Sequence, residues 1–175
     1  MILRTDPRAQ ISDGAARLRE LHDAIHRELP KRNDAWRRAC AEFDRSYDGL
    51  AFPGGLDRGL KELKIGDAYA VELAVAFLEA DAMFHRSGYI KEEIIQRLKK
   101  AELSRNQIQR LGDAILHIVN DRDCREFRRY CQLARQVGTP KLAGELQSRA
   151  KGANAAVSRR AKWVLDAMGV RPESA

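Results

Sequence analysis

Apolar residues recur along most of this chain at intervals of three and four, the spacing that puts them on one face of an α-helix. Leu18, Leu21, Ile25 and Leu29 form the first such stripe, with Ser12 or Asp13 as a cap upstream and Pro30 as a stop. A second helix is expected from about Asp34, with Trp36, Ala39, Cys40, Phe43 and Tyr47 on one face and Arg37, Arg38, Glu42 and Arg45 on the other. Its aromatic stripe reads as core. The run Ala51-Phe52-Pro53-Gly54-Gly55-Leu56 is the strongest break in the pattern, because Pro followed by two glycines favours a tight turn with positive φ. It is expected to join two helical subdomains. A short helix carrying Leu56, Leu60 and Leu63 follows, and Gly66-Asp67 opens the next. From Ala68 to Met83 the pattern is apolar nearly all round, which predicts a central helix covered by its neighbours.

The second half repeats the theme with clearer punctuation. Ile90, Ile94, Ile95 and Leu98 define a helix from Tyr89 to Lys100. Ser104 and Gln107 then make an S-x-x-Q capping box for a helix striped by Ile108, Leu111, Ile115 and Ile118. Asp123 and Glu126 suggest a similar start for a helix from Cys124 to Val137, with Phe127, Tyr130, Cys131 and Ala134 inward and Gly138 at its end. Thr139 caps another helix with Pro140 at its first position, Asn154 caps the last, and Gly169 with Pro172 closes it. The tail beyond Val170 is expected to fray.

This makes an all-α chain of about nine helices, joined by short loops and stacked as antiparallel pairs of about 30 residues each. Thr139-Pro140-x-Leu142-x-x-x-Leu146, followed by Val157-x-x-Arg160-Ala161-x-x-x-Leu165, resembles a HEAT-type repeat. The resemblance covers about the last 30 residues; the earlier helices match it by length and pairing alone. It implies an α-solenoid with a concave binding surface and no intrinsic chemistry, and an irregular helical bundle is the alternative architecture. One domain spanning 1–175 is expected, subdivided into an N-terminal hairpin (1–50), a helical-repeat stack (56–170) and the tail (171–175).

Composition agrees with this pattern. Hydrophobic residues make up 44% and charged residues 33%, enough to bury a core, while aromatics at 6% are too few for a strand-rich protein. Cys40, Cys124 and Cys131 form no CxxC pair and suit neither a disulfide framework nor a zinc knuckle. They read as small buried hydrophobes in a reducing compartment. The first residues lack the apolar core of a secretory signal, and Glu72, Glu79 and Asp81 interrupt the most apolar stretch, so a cytoplasmic protein without membrane insertion is expected. Charge changes the picture more. Residues 1–85 carry 13 Lys+Arg against 15 Asp+Glu, whereas residues 86–175 carry 19 against 10. The basic half predicts an acidic partner.

Candidate chemistry is sparse. His22 and His26 stand four apart on a helix, as paired metal ligands do, but no third ligand is visible nearby, and His85 and His117 read as isolated. Both members of the pair also suit a core edge. Glu72 and Glu79 lie about 10.5 Å apart along one helix, poor spacing for a shared proton or metal. There is no phosphate-binding loop and no G-x-S-x-G elbow, and no cofactor is indicated. Arg125, Arg128, Arg129 and Gln132 repeat along one helix face with Arg135 close to the same edge, and Trp163 stands beside Arg160 away from its helix's apolar stripe. Such forks and an outward Trp suit carboxylates, phosphates and interface anchors. The expected function is a non-catalytic helical-repeat interaction module. It binds a protein partner with an acidic patch through a groove and the basic C-terminal face, at Arg125, Arg128, Arg129, Arg135, Arg160 and Trp163. A nucleic-acid-binding protein using the same Arg-rich face is the alternative, and an enzyme on a helical scaffold the third reading.

Overall fold

A computed structural model of the chain describes residues 6–170. Among them are nine α-helices and no strands, with 76% of residues helical. They are α1 (Pro7–Glu28), α2 (Asp34–Ala51), α3 (Leu56–Lys64), α4 (Ala68–Glu79), α5 (Ser87–Leu98), α6 (Arg105–Asp121), α7 (Phe127–Val137), α8 (Pro140–Ala150) and α9 (Ala155–Met168). The chain divides into two compact units between Ile90 and Lys91, within α5. The Pro53-Gly54-Gly55 turn, with φ of 82° and 98° at its glycines, therefore joins α2 to α3 inside the first unit rather than marking the division. The tail expected to fray, 171–175, and residues 1–5 lie outside the described residues.

In the first unit, α1 begins earlier than Ser12 or Asp13. The Asp6 carboxylate accepts from the Arg8 amide at 3.0 Å, and Pro7 fills a first-turn position that needs no donor. The buried stripe is Ile11, Gly14, Ala15, Leu18 and Leu21, while Ile25 is only half-buried and Leu29 is 38% exposed. The cause is how α2 packs. It runs antiparallel to α1, and its C-terminal end passes so close to Gly14 that a Cβ there would stand 2.3 Å from the Leu50 carbonyl oxygen. α4 is buried from Ala70 to Leu78 apart from the half-buried Glu72, its N-terminus capped by the Asp67 carboxylate on the Ala70 amide at 2.9 Å. α1 and α3 both pack on α4, which makes it the central helix of this unit, as its all-round apolar pattern predicts.

The second unit is a stack of hairpins. Gly112 of α6 faces Leu142 of α8, and Asn120 of α6 accepts from Arg149 of α8 at 2.8 Å, so these two helices run in the same direction about one pair apart. Phe127 of α7 meets Trp163 of α9, and Arg135 of α7 donates to the Ala167 carbonyl, so this second layer is parallel as well. The hairpins α6/α7 and α8/α9 are thus superposed layer on layer, with Leu111, Ile115, Ile118, Leu133, Leu146 and Leu165 fully buried. The caps are those the sequence predicts. Ser104 and Gln107 form a reciprocal capping box, Thr139 accepts from the Leu142 amide, Asn154 accepts from the Ala156 and Val157 amides, and Gly169 closes α9 at φ 73°.

The exception is α7, which starts at Phe127 rather than Cys124 and has no side-chain cap. Asp123 is drawn instead to Arg159 and Arg160 of α9, at 3.2 and 3.4 Å. The Glu126 carboxylate turns inward to Lys91 at 3.6 Å, with both side chains at 4% exposure or less. A buried ion pair outcompetes the local capping geometry here, since either charge alone in that interior would be costly.

Candidate functional site

Burial of Phe127, Tyr130, Cys131, Leu133, Ala134 and Val137 leaves the other side of α7 to its arginines. They do not form one continuous stripe. Arg125 lies in the turn before the helix, donating to Glu92 at 3.2 Å, and Arg129 reaches the other oxygen of the same carboxylate at 4.0 Å and Gln132 at 3.3 Å. Arg128 is exposed, and no ion pair or hydrogen bond of its side chain occurs among the described residues. The Arg135 Nε donates to the Ala167 carbonyl at 2.6 Å, which fastens α7 to the end of α9.

Arg160 is a structural residue. It is 5% exposed, and its guanidinium donates to the Val119 carbonyl at 2.7 Å and the Asn120 carbonyl at 3.2 Å. These are carbonyls at the C-terminal end of α6, where unpaired acceptors and the helix dipole both favour a cation. Trp163, by contrast, is 48% exposed. Its ring packs edge-on against Phe127 with centroids 6.0 Å apart, and the Arg159 guanidinium lies over it at 5.4 Å, within cation–π range. Lys162, next to it on α9, is exposed. Arg125, Arg128, Arg135, Arg159, Lys162 and Trp163 are all exposed, with Arg125 bonded to Glu92, Arg135 to the Ala167 carbonyl and Arg159 to Asp123. Sequence periodicity places Phe127 inward, as it is, but missed Arg159, because its position over Trp163 depends on the side chains that α9 brings together.

A second constellation lies in the first unit. The rings of His22 and His26 on α1 are 4.5 Å apart, and His85, from the segment between α4 and α5, stacks on His22 at 4.9 Å with 19° between planes. His85 is thus not isolated, as its place in the sequence suggests. Desolvation, with smaller contributions from His22, Arg86 and His26, holds the His85 imidazole below its usual pKa. Among the described residues no group of three or more His, Cys, Asp or Glu could hold a metal ion. Glu72 and Glu79 are part-exposed residues of α4. Cys40, Cys124 and Cys131 are all free thiols, and burial pushes Cys131 up to about 11.

Fold and surface together define an all-helical protein with an aromatic-bearing basic face on its second unit. No described helix is long and apolar enough to cross a membrane. The chain matches no known protein family, no curated protein and no solved structure.

Proposed function

We propose that this chain is a non-catalytic interaction module of HEAT-like helical pairs, binding a protein partner with an acidic patch through the basic face of its second unit. The observation that carries this reading is Trp163, half-exposed beneath the Arg159 guanidinium with the exposed Lys162 beside it. A rigid aromatic anchor ringed by cations is the usual composition of an interface hot spot. The hairpin stacking of α6/α7 on α8/α9 supports the repeat reading, because such stacks present one helix layer as a continuous surface. A cytoplasmic setting fits three free thiols.

Nucleic acid is the second reading, favoured by the excess of Lys and Arg after residue 85 and by the cation–π pair, which also suits a stacked base. One experiment separates the two. Single-stranded and duplex nucleic acid and an acidic polypeptide are titrated at two salt concentrations against wild type and a Trp163→Ala, Lys162→Glu variant. Binding of the polypeptide that the variant loses, without comparable nucleic-acid binding, supports the protein-partner reading. Nucleic-acid affinity falling steeply with salt and with the substitutions replaces it with the second. No binding of either class at low salt removes the basic face as a site.

A further inference from the structure

At one end of the second unit α7 stops at Val137, α8 starts at Pro140 and α9 stops at Met168. The link from α7 to α8 is only Gly138-Thr139, which draws these helix ends together. They leave between them an open hollow of about 300 Å³, the lower bound of the usual range for small-molecule sites. Its walls include Ala134, Gly138, Pro140, Ala143 and Met168, all short or apolar. Lack of bulk is what keeps it open. A Cβ at Gly138 would stand 3.1 Å from the Met168 Cε, inside the same space. Thr139 also borders the hollow, but its hydroxyl is committed to the α8 cap, accepting from the Leu142 amide at 3.1 Å.

Among the described residues the one charge on these walls is Arg135. Its Nε donates to the Ala167 carbonyl at 2.6 Å, and no bond or ion pair of its two η nitrogens occurs among the described residues. Asp166, next to Ala167, is exposed and makes no ion pair with it. The bond through Nε holds the guanidinium plane and leaves the end-on pair of N–H groups, which fits a carboxylate bidentately. An exposed guanidinium alone holds a carboxylate weakly, because water screens the pair. An apolar wall beside it adds the burial that the charge lacks.

We propose that this hollow binds a free aliphatic monocarboxylate, its carboxylate paired end-on with Arg135 and its hydrocarbon chain laid against Ala143 and Met168. A single cation over apolar walls suits one negative charge on an apolar body better than a doubly charged phosphate, which needs more donors than these walls carry. The Met168 thioether chain adapts its shape to the ligand. Trp163 does not line the hollow, so the site is independent of the basic face proposed above.

The test is an NMR titration of the nitrogen-labelled full chain at neutral pH and constant ionic strength with sodium hexanoate, sodium acetate and hexanol. It is repeated on Arg135→Gln, Ala143→Leu and Trp163→Ala, each first checked for unchanged helical circular dichroism. Hexanoate should shift the amides of Gly138, Ala143 and Met168 saturably, with a Kd of about 1 mM or below, and acetate and hexanol should bind about tenfold or more weakly. Arg135→Gln should weaken hexanoate about tenfold. Ala143→Leu fills the hollow while keeping the Arg135 bond to Ala167, and should abolish binding; Trp163→Ala should leave it unchanged. Acetate binding as well as hexanoate overturns the proposal, since a bare surface guanidinium would then explain the shifts. So does hexanoate binding unaffected by Ala143→Leu, or no saturation up to about 10 mM. An acetylated tripeptide ending in leucine that binds the same amides about tenfold more tightly than hexanoate also overturns it, by making the hollow a site for a chain terminus rather than a free acid.

Discussion

Arg160 and Arg128 are both arginines of the basic half, and their surroundings give them opposite work. Arg160 is buried on the last carbonyls of α6, so Arg160→Ala should lower unfolding free energy by about 2–3 kcal/mol, because buried acceptors lose a charged donor. Urea denaturation followed by circular dichroism measures this, and an unchanged midpoint would show that those bonds carry no stability. Arg128→Glu and Lys162→Glu, at exposed positions, should stay within about 0.5 kcal/mol of wild type in the same assay. Cys131 adds a pH dependence. Its folded pKa of about 11 lies above the ordinary 9.0, so the folded thiol keeps its proton where the unfolded one ionises. The stability it contributes is complete below about pH 9 and is lost as pH rises through 11. At pH 8 a disulfide reagent should modify Cys131 more slowly than the half-buried Cys40 and Cys124 in the native chain, and all three alike in urea. His85 shifts the other way. Its lowered pKa means the unfolded chain binds the proton more readily, so its stabilisation is present above 6.5 and is lost as pH falls through the folded value. A histidine titration by NMR should place the His85 midpoint below 6.5, and His22→Gln should move it upward.

At the scale of elements, most helix ends decided by a local hydrogen bond were legible, although the Asp6 cap of α1 was missed in favour of Ser12 or Asp13. Ser104, Thr139 and Asn154 each accept from amides two or three residues on, a contact fixed by neighbours in sequence. Ser104→Ala should accordingly cost about 1 kcal/mol in urea denaturation. The start of α7 was not legible, because its apparent capping residues Asp123 and Glu126 are taken by Arg159, Arg160 and Lys91 from other helices. The burial of α1 was misplaced for the same kind of reason: periodicity gives the face, and only the partner helix decides which turns of it are covered. The close approach at Gly14 makes a sharp case. Gly14→Ala improves intrinsic helix propensity, yet its Cβ would collide with backbone of α2, so the variant should be destabilised by about 1–3 kcal/mol. A gain in stability would mean the two helices pack less tightly there.

For the whole molecule, the all-α class followed from the sequence, because the three-and-four spacing of apolar residues, helix-forming composition and caps all agree, and agreement across levels is what specifies a fold. The far-ultraviolet circular dichroism of the chain should therefore be that of a protein with about three-quarters helix and no strand, and a substantial strand component would contradict the fold. The charge asymmetry was equally legible, being a count that packing cannot alter. What only the tertiary structure decided is which charges and rings are available. It withdrew Arg160 into the α6 end, tied Arg125 to Glu92, and left Trp163 half-exposed beneath Arg159. It also brought His85 to His22 and His26 across most of the first unit. The physical reason is range. A helix and its caps are set by bonds between residues at most four apart, whereas burial, ion pairing and ring contact depend on which surfaces the packed helices bring together, and that depends on the chain as a whole.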